Sequence, residues 1–140
     1  HHMDAAITEL LSFSEYALDQ HTNSGVHSNQ YLRTSLHKAY YAAYNTCQPI
    51  ASKLPEPARK SGVHQTVINT FKEAATNYNP EQKGQLRFLA QLLAQAKNSR
   101  TKADYKLLIS VNESETKEQL RVAKEIIELS KAIDDFVTPH

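Results

Sequence analysis

The chain has 140 residues, of which 40% are hydrophobic and 22% charged, and its formal net charge is +1. This composition is typical of one globular domain and excludes a disordered chain. Three Gly and five Pro are too few for folds with many tight turns, and one Cys excludes a disulfide framework. The sequence contains no glycine-rich phosphate loop. Because a single Cys points to a reducing compartment and no apolar run is long enough to span a membrane, we expect a cytoplasmic protein with no membrane contact.

The first three predicted helices cover the N-terminal half of the chain. Residues 1–3 are interpreted as the remnant of a purification tag, so the predicted domain is residues 4–140. The first helix spans residues 4–20, with Asp4 as its N-cap, and the second spans 29–53, with Pro49 expected to kink or end it. The third spans 61–76, with Ser61 as its cap. An apolar stripe at helical spacing supports the second and third helices. The stripe of the second helix is Leu32, Leu36, Ala39, Ala43, Cys47 and Ile50. That of the third is Val63, Val67, Phe71 and Ala74.

Two longer helices complete the predicted fold. The fourth begins near Pro80, a residue favoured in a first turn, and runs past Tyr105. The fifth covers residues 114–137. Residues 107–111 have the composition of a short strand, but no second strand is available to pair with it. Five amphipathic helices with short connections predict an all-α fold, an up-down bundle in one domain.

Charge is unevenly distributed along these helices. Residues 33–106 hold twelve Lys and Arg against four Asp and Glu, whereas both ends of the chain are acidic. Acidic terminal helices packed beside a basic centre would explain the pattern, and so would a basic groove for an anionic partner such as RNA. Composition alone favours the first explanation.

One flank of the second helix combines a cation, an imidazole and two phenols. Arg33, His37, Tyr40 and Tyr44 lie within about 60° of one another at 100° per residue, with Tyr41 just off their face. Such side chains contact phosphates and base rings in RNA complexes. The structural alternative is that the phenols are partly buried core residues and that His37 lies at the edge of the core.

The end of the fourth helix is a second candidate. Arg100 and Asp104 are four residues apart, which is the spacing of an ordinary surface ion pair, and Tyr105 follows them. Lys97 and Lys102 make this turn strongly basic. His64, near the start of the third helix, is either a solvent-exposed residue or a further RNA contact. No histidine pair has metal-ligand spacing, so we expect neither a metal site nor a cofactor.

Three segments together resemble the small stand-alone HEPN proteins of prokaryotes. RTSLHKAYYAAY at residues 33–44 is similar to the pattern RxxxSRAYYAxF of that family, and KSGVHQ at residues 60–65, followed by Phe71, is similar to its HxGV segment. RTKADY at residues 100–105 resembles its RxxADY motif. The order and spacing of the three segments agree with the family along nearly the whole chain.

The resemblance implies a helical bundle that forms a homodimer, with a polar site at the dimer cleft. Many HEPN domains are metal-independent ribonucleases, or toxins paired with a small nucleotidyltransferase that acts as antitoxin, in stress or defence systems. Their motif is an Arg followed after four to six residues by a His. Here Arg100 matches the Arg, Asp104 and Tyr105 stand where the His is expected, and His37-Lys38 replaces Ser-Arg.

Three functions follow as expectations. In an endoribonuclease, Arg100 would hold the phosphate, Asp104 would orient it or take a proton, and Tyr105 would donate a hydrogen bond. The RNA contacts would then come from the basic and aromatic residues: Arg33, His37, Lys38, Tyr40, Tyr44, His64, Lys97 and Lys102. The second possibility is a non-catalytic HEPN bundle that binds a nucleotide, a nucleic acid or a partner protein. The third is a purely structural dimerisation bundle.

Overall fold

The computed structural model describes residues 2–23, 25–106 and 110–139, and 84% of these residues are helical. They form five α-helices and contain no strand: α1 (His2–His21), α2 (Ser28–Ala51), α3 (Val63–Ala74), α4 (Pro80–Tyr105) and α5 (Glu113–Val137). Short 3₁₀ turns precede α2 at Gly25–His27 and follow α3 at Ala75–Asn77. The predicted all-α bundle is confirmed.

The second helix is the centre of the bundle. It packs against α1, α4 and α5, while α3 packs mainly on α4. The stripe predicted for α2, from Leu32 to Ile50, is buried throughout, as is its Cys47. Burial raises the pKa of the Cys47 thiol, which fits a small core residue rather than a nucleophile. Because α2 contacts all four other helices, and α3 less extensively than the rest, side chains on its flanks face the seams between helices.

Several predicted helix ends are wrong by a few residues. Helix α1 begins at His2, so Asp4 lies within the helix instead of capping it. Helix α3 begins at Val63 because Gly62 before it has φ = +66°, a left-handed conformation that suits glycine. Ser61 is therefore not its cap, and Val63 is 71% exposed instead of buried because it lies in the uncovered first turn. Helix α2 ends at Ala51, two residues after Pro49.

The last two helices agree with the prediction more closely. Asn79 caps α4 and Asn112 caps α5, each by accepting a hydrogen bond from a backbone N–H three residues further on. Of the segment 107–111, residues 107–109 lie outside the described part of the chain. Val111 is buried against Leu32, Leu36 and Ala103, next to the end of α4. The connection to α5 thus packs back onto the bundle beside the candidate site.

Candidate functional site

Arg100 lies in the seam between α2 and α4 and is the centre of the candidate site. Only 6% of the residue is exposed. Its guanidinium carbon lies 5.1 Å from the centre of the Tyr40 ring and 5.8 Å from that of Tyr41. Aromatic rings at these distances attract a cation through their quadrupole, and the attraction grows when water is excluded. The alternative that Arg100 and Asp104 form only an ordinary surface ion pair does not fit a guanidinium buried this deeply.

The polar contacts of Arg100 are incomplete. Its Nη1 donates to the Asp104 carboxylate at 3.4 Å and to the Tyr105 hydroxyl at 3.4 Å, both long for hydrogen bonds. Its Nε is buried and has no acceptor among the described residues. A buried N–H without a partner costs free energy, and an anionic oxygen would satisfy it. Arg100 is thus a cation with hydrogen-bonding capacity to spare.

Asp104 joins Arg100 to a histidine on the neighbouring helix. The Nδ1 atom of His37 lies 2.9 Å and 3.1 Å from the two carboxylate oxygens of Asp104. A carboxylate only accepts hydrogen bonds, so Nδ1 carries the proton. When the ring is neutral, Nε2 then holds a lone pair that can accept a proton. A carboxylate fixes the tautomer and orientation of a histidine base in the same way in hydrolytic triads.

A second imidazole lies on the other side of the aromatic rings. His64, in the first turn of α3, has its Nδ1 2.5 Å from the Tyr40 hydroxyl and its ring 4.3 Å from that of Tyr44, centre to centre. Tyr40 is 1% exposed, and burial raises the pKa of its phenol, so the hydroxyl keeps its proton. Burial first, and then the charges of Arg100 and Lys97, lower the pKa of His64.

The lowered pKa of His64 predicts how the stability of the fold changes with pH. Because its pKa is lower in the folded than in the unfolded chain, the unfolded state binds more protons as the pH falls through about 6.5. We therefore expect the free energy of unfolding to fall on acidification from about pH 7.5 to about pH 5.5, and less steeply in His64→Gln. Urea titrations at both pH values measure this, with exposed His27→Gln as control. An equal pH dependence in wild type and His64→Gln would contradict the assignment.

The cationic residues predicted to bind RNA have different surroundings. Arg33 is 6% exposed, and its Nη1 donates at 2.8 Å to the carbonyl of Ala103, so it holds the end of α4 within the fold. Lys102 contacts both carboxylate oxygens of Glu115, at 2.9 and 3.0 Å, and is neutralised there. We therefore leave these two cations out of the RNA site proposed below.

Lys97 and Lys38 have uncharged neighbours, Lys97 on α3 and Lys38 on α1. Lys97 donates at 3.1 Å to the side-chain oxygen of Gln65, an uncharged partner. Lys38 lies beside α1, with its ammonium 5.6 Å from the centre of the Phe13 ring. Neither lysine has a carboxylate partner among the described ion pairs. Both charges are available to an anion.

Two features of the site could not be predicted from the sequence. Helical spacing puts Tyr41 just off the polar flank of α2, yet its ring contacts Arg100, His37 and His64. The pairing of His37 with Asp104 joins two separate candidates, one on α2 and one on α4. The helical spacing of Arg33, His37 and Tyr40 places them along one flank but does not indicate which helix that flank meets.

No model of a protein family matches the chain, and no curated protein matches it either. Among the described residues, no group of three or more His, Cys, Asp and Glu side chains is arranged to hold a metal ion. No helix in the described part is both long and apolar enough to cross a membrane.

Proposed function

We propose that this protein is a HEPN-type, RNA-acting protein of a stress or defence system, and specifically a metal-independent endoribonuclease. One observation carries the proposal: Arg100, Asp104 and His37 form a continuous series of polar contacts, with a phosphate-binding cation at one end and a histidine base at the other. The resemblance to HEPN proteins adds RNA as the substrate class. The chain lacks the His of the family's Arg-then-His motif. In this proposal His37 supplies that imidazole from another helix.

The reaction follows from the chemistry of these groups. Arg100 binds the non-bridging oxygens of the scissile phosphate through its charge and through the guanidinium donors that its long contacts to Asp104 and Tyr105 leave available. His37 Nε2 takes the proton of the 2′-hydroxyl, whose oxygen attacks the phosphorus. The bond from phosphorus to the 5′-oxygen breaks, and that oxygen takes a proton from the Tyr105 hydroxyl. His37 then releases its proton to solvent and the Tyr105 phenolate takes one up, which restores both groups. The products are a 2′,3′-cyclic phosphate and a free 5′-hydroxyl.

A non-catalytic RNA-binding or nucleotide-binding bundle is the second candidate, and His64 favours it. With its pKa lowered by burial and by the Arg100 and Lys97 charges, His64 is neutral at physiological pH. A neutral imidazole is a poor acid, and the hydroxyl of Tyr105 is a weak one too. The exposed ring of Tyr105 and the cations would then serve only to stack bases and to hold phosphates.

The proposal includes a symmetric homodimer and a small antitoxin partner of the nucleotidyltransferase type. Val63 and Tyr105 are each 71% exposed; Val63 precedes His64, and Tyr105 contacts Arg100. Apolar and aromatic surface at the rim of the site suits a second copy of the chain, which would bring a second Arg100 near the same RNA. Light scattering is expected to give about twice the 15.8 kDa mass of one chain.

One experiment separates the two candidates. The protein is incubated in EDTA with a single-stranded RNA and with the same RNA carrying 2′-O-methyl groups throughout. An endoribonuclease leaves 2′,3′-cyclic phosphate ends on the first and binds the second without cutting it. Binding of both RNAs with no cleavage supports the non-catalytic candidate. Failure to bind either RNA contradicts both candidates and favours a structural bundle.

A further inference from the structure

A cavity adjoins the His37–Asp104 pair. It has a volume of about 510 Å³ and opens between α1, α2 and the end of α4. This volume lies within the range of about 300 to 1,000 Å³ that is common for small-ligand sites. The pair forms one wall of the cavity. The other residues used below are Phe13, Gln30, Thr34 and Lys38.

Phe13 is the unusual member of this cavity. Phe13 belongs to α1 and is 52% exposed, so much of its apolar ring is in contact with water. The ring meets Tyr16 edge to face at 6.0 Å between centres, which holds it without covering both its faces. An exposed aromatic face beside a cation is the arrangement on which single-stranded nucleic acids stack their bases.

Asp104 and Lys38, of opposite charge, give a bound nucleotide one favourable direction, whereas the Arg33 guanidinium that also lines the cavity is held by the Ala103 carbonyl. The Asp104 carboxylate repels a phosphate from the wall that it shares with His37. The ammonium of Lys38, 5.6 Å from the centre of the Phe13 ring, attracts one. Because a lysine side chain is long and flexible, it can leave the ring for a phosphate, which it binds more strongly. Gln30 and Thr34 supply hydrogen-bonding groups for the edge of a base.

We infer that this cavity binds the nucleobase adjacent to the scissile phosphate, stacked on Phe13, with the neighbouring phosphate on Lys38. The inference rests on the proposed function, since it adds a base subsite to the same RNA path. That path runs from Phe13, past His37 and Asp104, to Arg100 and Lys97. Phe13 thereby sets where the RNA strand lies relative to His37. Hydrogen bonds from Gln30 and Thr34 to the edge of the stacked base set which nucleotide is preferred.

Binding of mononucleotides tests the subsite without requiring cleavage. The probes are the four nucleoside 3′-monophosphates, with ribose 5-phosphate and inorganic phosphate as base-free controls, followed by calorimetry and by NMR of the Phe13 ring. We expect nucleotides to bind more tightly than the base-free probes and to shift the Phe13 resonances further, because only a base stacks on the ring. Phe13→Ala and Phe13→Leu should weaken nucleotide binding roughly tenfold, and Phe13→Tyr should retain it, because stacking needs an aromatic ring.

A matched control and the RNA assay complete the test. Phe88→Ala removes an aromatic ring of similar exposure, 43%, from α4 and outside this cavity, and should leave nucleotide binding unchanged. Equal nucleotide affinity in Phe13→Ala and wild type would overturn the inference, as would base-free probes that bind as tightly as nucleotides. Nucleotide binding through Phe13 with no RNA cleavage would support the subsite and contradict the ribonuclease. Cleavage without any shift of Phe13 would do the reverse.

Discussion

His37→Ala is expected to lower the rate of RNA cleavage by about 10²- to 10⁴-fold while RNA affinity changes little, because it removes the base that takes the 2′-hydroxyl proton. A base must enter the reaction with Nε2 unprotonated, so in this role His37 contributes no charge to phosphate binding and the substitution leaves the electrostatic part of binding intact. Single-turnover cleavage of a labelled RNA measures the rate, and titration with its 2′-O-methyl analogue measures the affinity. A loss of affinity equal to the loss of rate would contradict the assignment of His37 as the base.

Asp104→Ala distinguishes the positioning role from the role of the base itself. Without the carboxylate, Nδ1 of His37 loses its acceptor at 2.9 Å, and the ring is free to take either tautomer. We expect cleavage to fall strongly and RNA affinity to stay equal or rise, since a negative charge is removed beside the phosphate. For the His37→Ala variant, His27→Ala at an exposed histidine near the start of α2 is the control for general effects of losing a histidine. Unchanged cleavage in Asp104→Ala would show that the carboxylate does not orient the base.

Arg100→Ala is expected to affect both folding and RNA binding. The guanidinium is nearly buried against two tyrosine rings, so its loss should reduce the free energy of unfolding by about 1–3 kcal/mol. A solvated helix end would lose well under about 1 kcal/mol. RNA affinity should fall about tenfold at low salt, and the slope of log affinity against log salt should fall by about one, since one phosphate contact is lost.

Two further variants keep the Arg100 prediction falsifiable if the alanine variant unfolds. Arg100→Lys retains the charge but lacks the planar fork, so we expect the salt slope to remain and cleavage to fall. Arg121→Ala removes an exposed arginine of α5 that pairs with Glu118 and Glu125, and it should change neither RNA affinity nor the slope. A folded Arg100→Ala that binds and cuts RNA like wild type would leave Arg100 with a structural role only.

The sequence predicted the fold better than the site because helices are read from local spacing. The buried stripe from Leu32 to Ile50 repeats with the period of the helix, and that period alone indicates which face is covered. The errors occurred where a local signal was misjudged. Gly62 ends the turn before α3 through its left-handed backbone, which displaced the expected cap at Ser61 and left Val63 in solvent.

What the sequence determined by itself is an all-helical chain, its buried stripes, and Arg100 and Asp104 one turn apart on α4. Only the tertiary structure decided which groups meet. His37 and Asp104 are 67 positions apart, and Tyr40 and His64 are 24 apart, so their contacts depend on how α2 packs against α4 and α3. Helical period fixes the direction of a side chain around its own axis but not the neighbour that it meets. The packing of the bundle therefore turned a surface ion pair into a buried cation beside an oriented histidine.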